Sequence, residues 1–357
     1  MKFMTTRSLS SIKIAFFDAK PYDIESFDAA NKSFGFKITY FANHLTAETA
    51  SLAQGHEAVC AFVNDVIDAG TIDTLFREKV LLIALRAAGY NNVDFKTAFQ
   101  KIHIARVPSY SPHAVAEHAV ALMLTLNRKI HRAYSRTHDN NFSLNGLLGF
   151  DMCGKTAGVI GTGQIGKALI AILQGFGMQV LAYDAFPDKA YQKKAGFTYT
   201  DLKTLYEKSD IVSLHCPLNK ETYHLIDQRA IAKMKRGVMI INTGRGALLD
   251  SKALIEGLKT GQVGFAGLDV YEEESDYFFE DRSSSIITDD LLARLLSFNN
   301  VVVTSHQGFF TREALQNIAQ TTLNNVKEFF TKQKLSNEIC YQCSTNSCPR
   351  KTTGQCF

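Results

Sequence analysis

The stretch Ala157-Gly-Val-Ile-Gly-Thr-Gly-Gln-Ile-Gly166 decides the fold, because it joins a short apolar run to the start of an amphipathic segment. Residues 157–160 have the length and composition of a buried strand. Apolar side chains then recur at three- and four-residue spacing between Ile165 and Phe176, which predicts a helix. A strand, a glycine-rich loop and a helix in this order are typical of a phosphate-binding α/β unit.

The three glycines of this loop have separate expected roles. Gly161 permits the tight turn, Gly163 lets a pyrophosphate approach bare backbone, and Gly166 allows close packing of helix and strand. The next apolar run ends at Asp184, where a carboxylate is suited to bind a ribose diol and to repel a 2′-phosphate. The segment therefore predicts a dinucleotide site that favours NAD over NADP, and a glycine-rich turn beside a surface Asp is the weaker alternative.

The same alternation of short apolar runs and helix-length segments extends in both directions from the loop. Five runs precede it, at residues 12–17, 38–41, 58–63, 81–85 and 103–107. Six lie in the second half, at residues 157–160, 180–183, 211–214, 238–241, 265–270 and 301–304. Strands at this spacing predict two parallel α/β sheets, Rossmann-like or flavodoxin-like.

Two long helix patterns organise these sheets into domains. The pattern at 112–134 is apolar on nearly every side, which predicts a spine between domains or a subunit interface, and the pattern at 314–330 would return the chain to the first sheet. We therefore expect a cofactor domain at 111–307 inserted into a discontinuous substrate domain at 1–110 and 308–337. Residues 338–357 would form a Cys-rich tail.

Composition restricts the class of protein. The chain has 357 residues, 46% of them hydrophobic and 21% charged, with a net charge of +4, as in an ordinary globular enzyme. Neither a basic nucleic-acid-binding element nor an apolar run long enough for a membrane span or signal segment is visible. Isolated cysteines in apolar runs, such as Cys60 and Cys216, are typical of buried thiols in a reducing cytoplasm.

Three later runs each end close to a chemically capable residue, namely Arg245, Glu274 and His306. The carboxyl ends of strands in an open α/β sheet are where ligands bind, so we expect these side chains to converge. Arg245 would bind a carboxylate in bidentate fashion and polarise a carbonyl, His306 would donate a proton, and Glu274 would raise the pKa of that imidazole. Taken singly, the His could be structural and the acidic run 272–274 only a solvated loop.

Several motifs together resemble the D-isomer-specific 2-hydroxy acid dehydrogenase family, and especially its fermentative, lactate-forming members. These motifs, which lie within a resemblance from about Ile12 to about Glu338, are Gly161-Thr-Gly-Gln-Ile-Gly166, Asn242-Thr-Gly-Arg-Gly-Ala-Leu-Leu-Asp250, Gly267-Leu-Asp-Val-Tyr-Glu272 and Thr304-Ser-His-Gln-Gly-Phe309. The resemblance implies reduction of pyruvate to D-lactate with NADH, and a homodimer or homotetramer in the cytoplasm with no nucleic-acid or membrane partner.

The resemblance also implies site residues. Its catalytic set corresponds to Arg245, Glu274 and His306. The implied cofactor contacts are Gly161, Gly163, Gln164, Ile165, Gly166, Asp184, Cys216, Pro217, Thr243, Gly244 and Asp269. The implied substrate contacts are the backbone of Ala88 and Gly89, the pocket-closing Tyr110 and Phe309, and Arg245.

Two other functions share this family's features. A reductase for glyoxylate, hydroxypyruvate or a bulkier 2-oxo acid would use the same catalytic set with a different pocket. An NAD-sensing corepressor would keep the fold and even the catalytic set, although no DNA-reading element supports it here.

The tail carries Cys340, Cys343, Cys348 and Cys356 outside the family pattern. Four thiolates could ligate zinc, yet structural zinc sites usually pair two short chelating loops across a longer spacer, and this tail has a single C-x2-C. The spacing therefore favours a mobile, oxidation-prone extension without metal.

Overall fold

The computed structural model describes residues 9–273, 277–279, 281–332, 335–343, 348–350 and 356–357. The chain divides into two compact units. The discontinuous unit comprises Met1–Ser111 and Thr311–Phe357, and the central unit comprises Pro112–Phe310. The predicted second junction, at residue 308, lies three residues before this boundary, and the described residues of the predicted tail at 338–357 belong to the discontinuous unit.

The discontinuous unit contains a five-stranded parallel sheet in the order β2-β1-β3-β4-β5. Its strands are β1 (Lys13–Phe16), β2 (Lys37–Tyr40), β3 (Ala58–Ala61), β4 (Leu82–Leu85) and β5 (His103–Ala105). Its helices are α1 (Pro21–Asn31), α2 (Ala69–Arg77), α3 (Phe95–Ala98) and α12 (Arg312–Lys332). Strands β3 and β4 are buried throughout, as helix-covered parallel strands must be.

The central unit contains a seven-stranded parallel sheet in the order β12-β11-β10-β9-β6-β7-β8. Its strands are β6 (Thr156–Ile160), β7 (Gln179–Tyr183), β8 (Thr198–Tyr199), β9 (Ile211–Leu214), β10 (Val238–Asn242), β11 (Val263–Leu268) and β12 (Val301–Val303). Its helices are α4 (Pro112–Arg128), α5 (Ile130–His138), α6 (Gln164–Gly175), α7 (Lys189–Ala195), α8 (Leu202–Lys208), α9 (Gln228–Lys233), α10 (Ser251–Thr260) and α11 (Asp290–Ser297).

Two apolar cores lie on opposite faces of the seven-stranded sheet. Val238 and Ile240 of β10 belong to one core, and the alternating Met239 and Ile241 belong to the other. Helix α4 packs into the second core. Both faces of the sheet are therefore covered, and the predicted fold class of two parallel α/β sheets is confirmed.

The helix predicted at 112–134 is interrupted. Helix α4 ends at Arg128, and Lys129 takes a left-handed conformation with φ 50° before α5 begins. The returning chain lies close to this end of α4, because a Cβ on Gly149 would come within 2.6 Å of the Asn127 carbonyl oxygen. Periodicity could not show this long-range contact. Within the described residues, no helix has the length and apolarity needed to cross a membrane.

Candidate active site

The glycine loop connects β6 to α6, whose N-terminal cap is Gly163. Gly161 has φ +96°, and a Cβ there would lie 2.5 Å from the Cys216 backbone nitrogen. A Cβ on Gly166 would lie 2.0 Å from the Gly161 carbonyl oxygen, so a side chain is excluded at this position too. A Cβ on Gly163, in contrast, would meet no atom within 4 Å. The helix N-terminus therefore opens onto free space, where its N–H groups and dipole favour an anion.

Asp184 follows β7 and supports the same loop. Its Oδ2 accepts hydrogen bonds from the Thr162 backbone N–H, 2.6 Å away, and from Thr162 Oγ1, 2.9 Å away. Its Oδ1 accepts from the Phe186 backbone N–H at 2.8 Å. These contacts fix the carboxylate beside the glycine loop.

The end of β10 positions Arg245. The side chain of Asn242, almost fully buried, donates to the Arg245 carbonyl oxygen at 2.9 Å and accepts from the Gly244 N–H at 3.1 Å. Arg245 itself is extended, with φ −139°, and its guanidinium donates to the Gly244 carbonyl oxygen at 2.7 Å. The hydroxyl of the neighbouring Thr243 is buried without a hydrogen-bond partner, as expected for a group that binds a ligand.

Asp269 follows β11 and organises the loop after β12. Its carboxylate accepts from Thr304 Oγ1 at 2.6 Å, from the Gln307 N–H at 2.9 Å and from the Gly308 N–H at 2.7 Å. His118 Nε2 of α4 lies 3.1 Å from the same carboxylate. Burial raises the pKa of Asp269, but the hydrogen bonds from His118, Thr304 and Gly308 outweigh burial, so this pKa is lowered and the carboxylate stays charged.

His306 is placed by this network. Its backbone N–H donates to the Asp269 carbonyl oxygen at 2.7 Å, and its φ of 53° is in the left-handed region, which non-glycine residues rarely adopt. The imidazole is partly exposed and lies 5.7 Å from the ring of Phe279, centroid to centroid. The bonds from Gln307 and Gly308 to the Asp269 carboxylate fix the loop that carries this imidazole.

Glu274 lies outside the described residues, and its predicted pairing with His306 therefore stays a prediction. Of the acidic run, Glu272 has a partner of its own: its carboxylate lies 2.6 Å from His224 Nε2 and accepts from the Ser251 N–H at 2.9 Å. Glu272 is thus committed to local structure and is no alternative to Glu274.

The other predicted cofactor contacts in the central unit surround the glycine loop or the end of β10. Cys216 and Pro217 follow β9, and the Cys216 backbone lies against Gly161. Burial raises the pKa of the Cys216 thiol to about 11, so this thiol stays neutral. Gln164 and Ile165 form the first turn of α6.

The predicted substrate contacts are distributed over both units. In the discontinuous unit, the Ala88 carbonyl accepts from Arg106 Nη1 at 2.7 Å, and the Tyr110 carbonyl accepts from Asn317 Nδ2 at 2.7 Å. Gly89 follows Ala88 in the loop after β4. Phe309 lies in the central unit, next to Gly308 and buried.

Sequence reasoning missed two positioning residues. Asn242 begins the motif that contains Arg245. Its position at the end of a buried strand was the signal that could have identified it. His118 carried no such signal, because only the fold brings α4 next to Asp269.

The residues of the central unit fit a dinucleotide. The N-terminus of α6 is open at Gly163, Asp184 stands at the end of β7, and the Thr243 hydroxyl is buried without a partner. The sheet order reverses between β6 and β9, and the crevice at such a switch point is the usual ligand position.

Comparisons with known proteins agree with this geometry. The family description "D-isomer specific 2-hydroxyacid dehydrogenase, NAD binding domain" matches residues 120–308. D-lactate dehydrogenase of Escherichia coli K12 is 51% identical over 92% of this chain and 100% of its own length.

Two solved structures extend the comparison. A structure described as the pyruvate reductase of Chlamydomonas reinhardtii superposes with a TM-score of 0.88 at 41% identity, covering 92% of this chain and 99% of its own. D-lactate dehydrogenase from Lactobacillus jensenii with NAD+ superposes at 0.78 with 30% identity, covering 92% and 99%. The central unit therefore contains an NAD-binding domain, and the chain belongs to the D-isomer-specific 2-hydroxyacid dehydrogenase family.

Proposed function

We propose that the chain is an NAD-dependent D-lactate dehydrogenase that reduces pyruvate. The observation that carries the proposal is the Asp269 network, which holds His306 in a left-handed conformation after β12. The names of the relatives at about half identity support the choice of substrate.

The cofactor supplies the hydride, and the protein supplies position and charge. Arg245, held at the end of β10 by Asn242, binds the substrate carboxylate and polarises the carbonyl. His306 donates a proton to the oxygen as the alkoxide forms, and Glu274 favours the protonated imidazole. The Asp269 side chain remains a carboxylate. It orients the loop that carries His306 by accepting hydrogen bonds from the backbone N–H groups of that loop.

The discontinuous unit is proposed as the substrate domain. The resemblance assigns a carboxylate contact in this unit to the backbone N–H groups of Ala88 and Gly89, and a pocket-closing role to Tyr110. Because the resemblance is to lactate-forming members, we expect pyruvate to be preferred over longer or branched 2-oxo acids.

A turnover assay separates the three functions considered. Consumption of NADH with pyruvate and formation of D-lactate, identified by chiral chromatography, are the expected results. A glyoxylate, hydroxypyruvate or branched 2-oxo acid that is turned over more efficiently would assign the chain to the other reductases. NADH binding without turnover of any 2-oxo acid would instead indicate the corepressor function.

Cofactor choice tests Asp184. A 2′-phosphate would meet its carboxylate, so NADPH should support far less turnover than NADH. In the Asp184→Ser variant the preference for NADH should decrease, although loss of the bonds to Thr162 will also loosen the glycine loop. Equal efficiency of the two cofactors with the wild-type protein would remove Asp184 from its proposed role.

We further propose a homodimer or homotetramer in the cytoplasm. The segment after α5 exposes large apolar side chains, among them Phe142, Leu144 and Leu148, as a subunit contact would require. All seven cysteines are free, which suits a reducing compartment. Light scattering on the purified protein gives the mass, and a monomer at micromolar concentration would contradict the proposal.

A further inference from the structure

The four cysteines of the tail bring their sulfur atoms together. The Sγ of Cys343 lies 3.8 Å from that of Cys340, 3.7 Å from that of Cys348 and 3.6 Å from that of Cys356. Cys348 Sγ lies 3.7 Å from Cys340 Sγ and 3.8 Å from Cys356 Sγ. All four sulfurs lie within 4.8 Å of one another.

These separations have the dimensions of a metal-thiolate tetrahedron. With Zn–S bonds of about 2.3 Å, a regular tetrahedron has S···S edges of about 3.8 Å. A disulfide, in contrast, requires about 2.05 Å, and all four thiols are free. We propose that Cys340, Cys343, Cys348 and Cys356 bind one Zn²⁺ ion as thiolates.

The local backbone has the hydrogen bonds that a thiolate site needs. The Cys340 N–H donates to Cys343 Sγ at 3.2 Å. Backbone N–H groups of Gln342 and Arg350 donate to the sulfurs of Cys340 and Cys348, respectively. Such bonds from the second coordination layer orient thiolates and disperse their negative charge.

The two ends of the cysteine segment are fixed by the rest of the discontinuous unit. Glu338 pairs with Ala105 in an antiparallel bridge, and the Ile339 N–H donates to the Ile104 carbonyl at 2.8 Å. At the far end, the Cys356 N–H donates to the buried Glu338 carboxylate at 2.6 Å, and the Phe357 ring stacks on His103 at 4.2 Å. The fold thus brings the cysteines from the two ends of this segment together, which the C-x2-C-x4-C-x7-C spacing alone did not indicate.

The site is closed, because four protein ligands complete a tetrahedral zinc ion and leave no position for water or substrate. Binding replaces four S–H protons by one Zn²⁺ and involves no change of oxidation state. Its role is structural. The ion would hold the tail along β5, the strand at one edge of the five-stranded sheet, and so cover an edge that is otherwise open to pairing.

Metal analysis of the full-length protein, expressed with zinc and desalted without a polyhistidine tag, tests the proposal. We expect one zinc per chain by mass spectrometry of the metal. The Cys343→Ser and Cys356→Ser variants should lose most of it. Cys153→Ser is the matched control, because Cys153 is a free, exposed thiol of the central unit, and this variant should keep its zinc.

A second measurement uses the wild-type protein alone and does not depend on how the variants fold. Titration with a mercurial should release one zinc per four thiols, followed with a chromogenic chelator, and the melting temperature should fall. Protein reconstituted with Co²⁺ should show the visible absorption of a tetrahedral thiolate site. Wild-type protein without metal, zinc retained in both ligand variants, or iron in place of zinc would each overturn the zinc assignment.

Discussion

The two sheets carry charged residues at equivalent places and use them in opposite ways. In the discontinuous unit, Asp18 follows β1, Asp65 follows β3 and Arg86 follows β4, and all three are buried. In the central unit, Arg245 and His306 follow β10 and β12 and are partly exposed. The carboxyl ends of parallel strands collect polar side chains in both units, but burial decides whether the charges neutralise one another or face a ligand.

We call the buried charges at the strand ends of the discontinuous unit the closed end, and the partly exposed Arg245 and His306 of the central unit the open end. The closed end is organised around Arg86. Its guanidinium donates to the Asp18 carbonyl oxygen at 2.8 Å, lies 3.5 Å from the Asp23 carboxylate, and has the rings of Phe16 and Phe62 at 4.5 and 4.8 Å. Burial raises the pKa of Asp65 to about 6, although the Arg86 charge opposes this shift. Burial of these charges has a desolvation cost, and because they interact with one another they are not available to a substrate.

A substitution at the open end should lower turnover without lowering the stability of the fold. Replacing His306 by Gln removes the proton donor and keeps a polar side chain, so turnover should fall by about 10²- to 10⁴-fold. NADH affinity and the melting temperature should be unchanged. Steady-state kinetics, fluorescence titration with NADH and calorimetry measure the three quantities.

The control for this variant is His113→Gln, an identical substitution at an exposed position of α4, which should leave turnover unchanged. A His306→Gln enzyme with at least a tenth of wild-type turnover would show that His306 is not the proton donor.

A substitution at the closed end should lower the free energy of unfolding of the protein. Replacing Arg86 by Met removes the buried cation that faces Asp18, Asp23 and Asp65, and Lys20 then remains as the ion-pair partner of Asp18, so the free energy of unfolding should fall by about 3–5 kcal/mol. Urea unfolding at pH 7 measures it. Arg77→Met, on the exposed face of α2, should change it by less than about 0.5 kcal/mol. Equal stability of the two variants would show that the Arg86 cluster is not what stabilises this end.

The two ends should also respond to pH with opposite signs. The native-state pKa of Asp65, about 6, is above its ordinary value of 3.8, so the native protein binds more protons than the unfolded chain between about pH 4 and 6. Its contribution to stability therefore falls as pH rises through that window, by about 3 kcal/mol at most. The pKa of Asp269 is lowered, so its contribution is lost only as pH falls below about 4.

Unfolding free energies of wild type and Asp65→Asn at a series of pH values test this sign. The stability of wild type relative to the variant should decrease between pH 4 and 6. Asp73→Asn, which removes one exposed carboxylate of α2, is the charge-matched control and should show no such trend. A relative stability that rises with pH would contradict the raised pKa.

The glycine loop offers the smallest and most specific effects. Gly166→Ala places a Cβ 2.0 Å from the Gly161 carbonyl oxygen and should destabilise the fold by about 1–3 kcal/mol. Gly163→Ala meets no protein atom within 4 Å, so stability should stay the same while the Kd for NADH rises about tenfold, ~1.4 kcal/mol.

Gly175→Ala at the end of α6 also meets no atom within 4 Å and serves as the control, with neither quantity changed. If Gly163→Ala bound NADH as tightly as Gly175→Ala, the pyrophosphate would not lie against Gly163.

The sequence alone determined the features that depend on neighbours along the chain. The short apolar strand runs, the helix pattern after Gly163 and the glycine loop followed by Asp184 are local, so their prediction needed no tertiary information. The family, and with it the expected catalytic set, followed from several such motifs in order.

Only the tertiary structure decided which distant residues meet. His118 reaches Asp269 because α4 packs against β11, Arg86 is neutralised because three strand ends are adjacent, and the cysteine sulfurs converge because both ends of the tail are tied to the discontinuous unit. Likewise, only the fold shows that the chain returns at Gly149 against the end of α4, next to the break at Lys129. Periodicity reports which face of an element is buried, but it does not report what lies against that face.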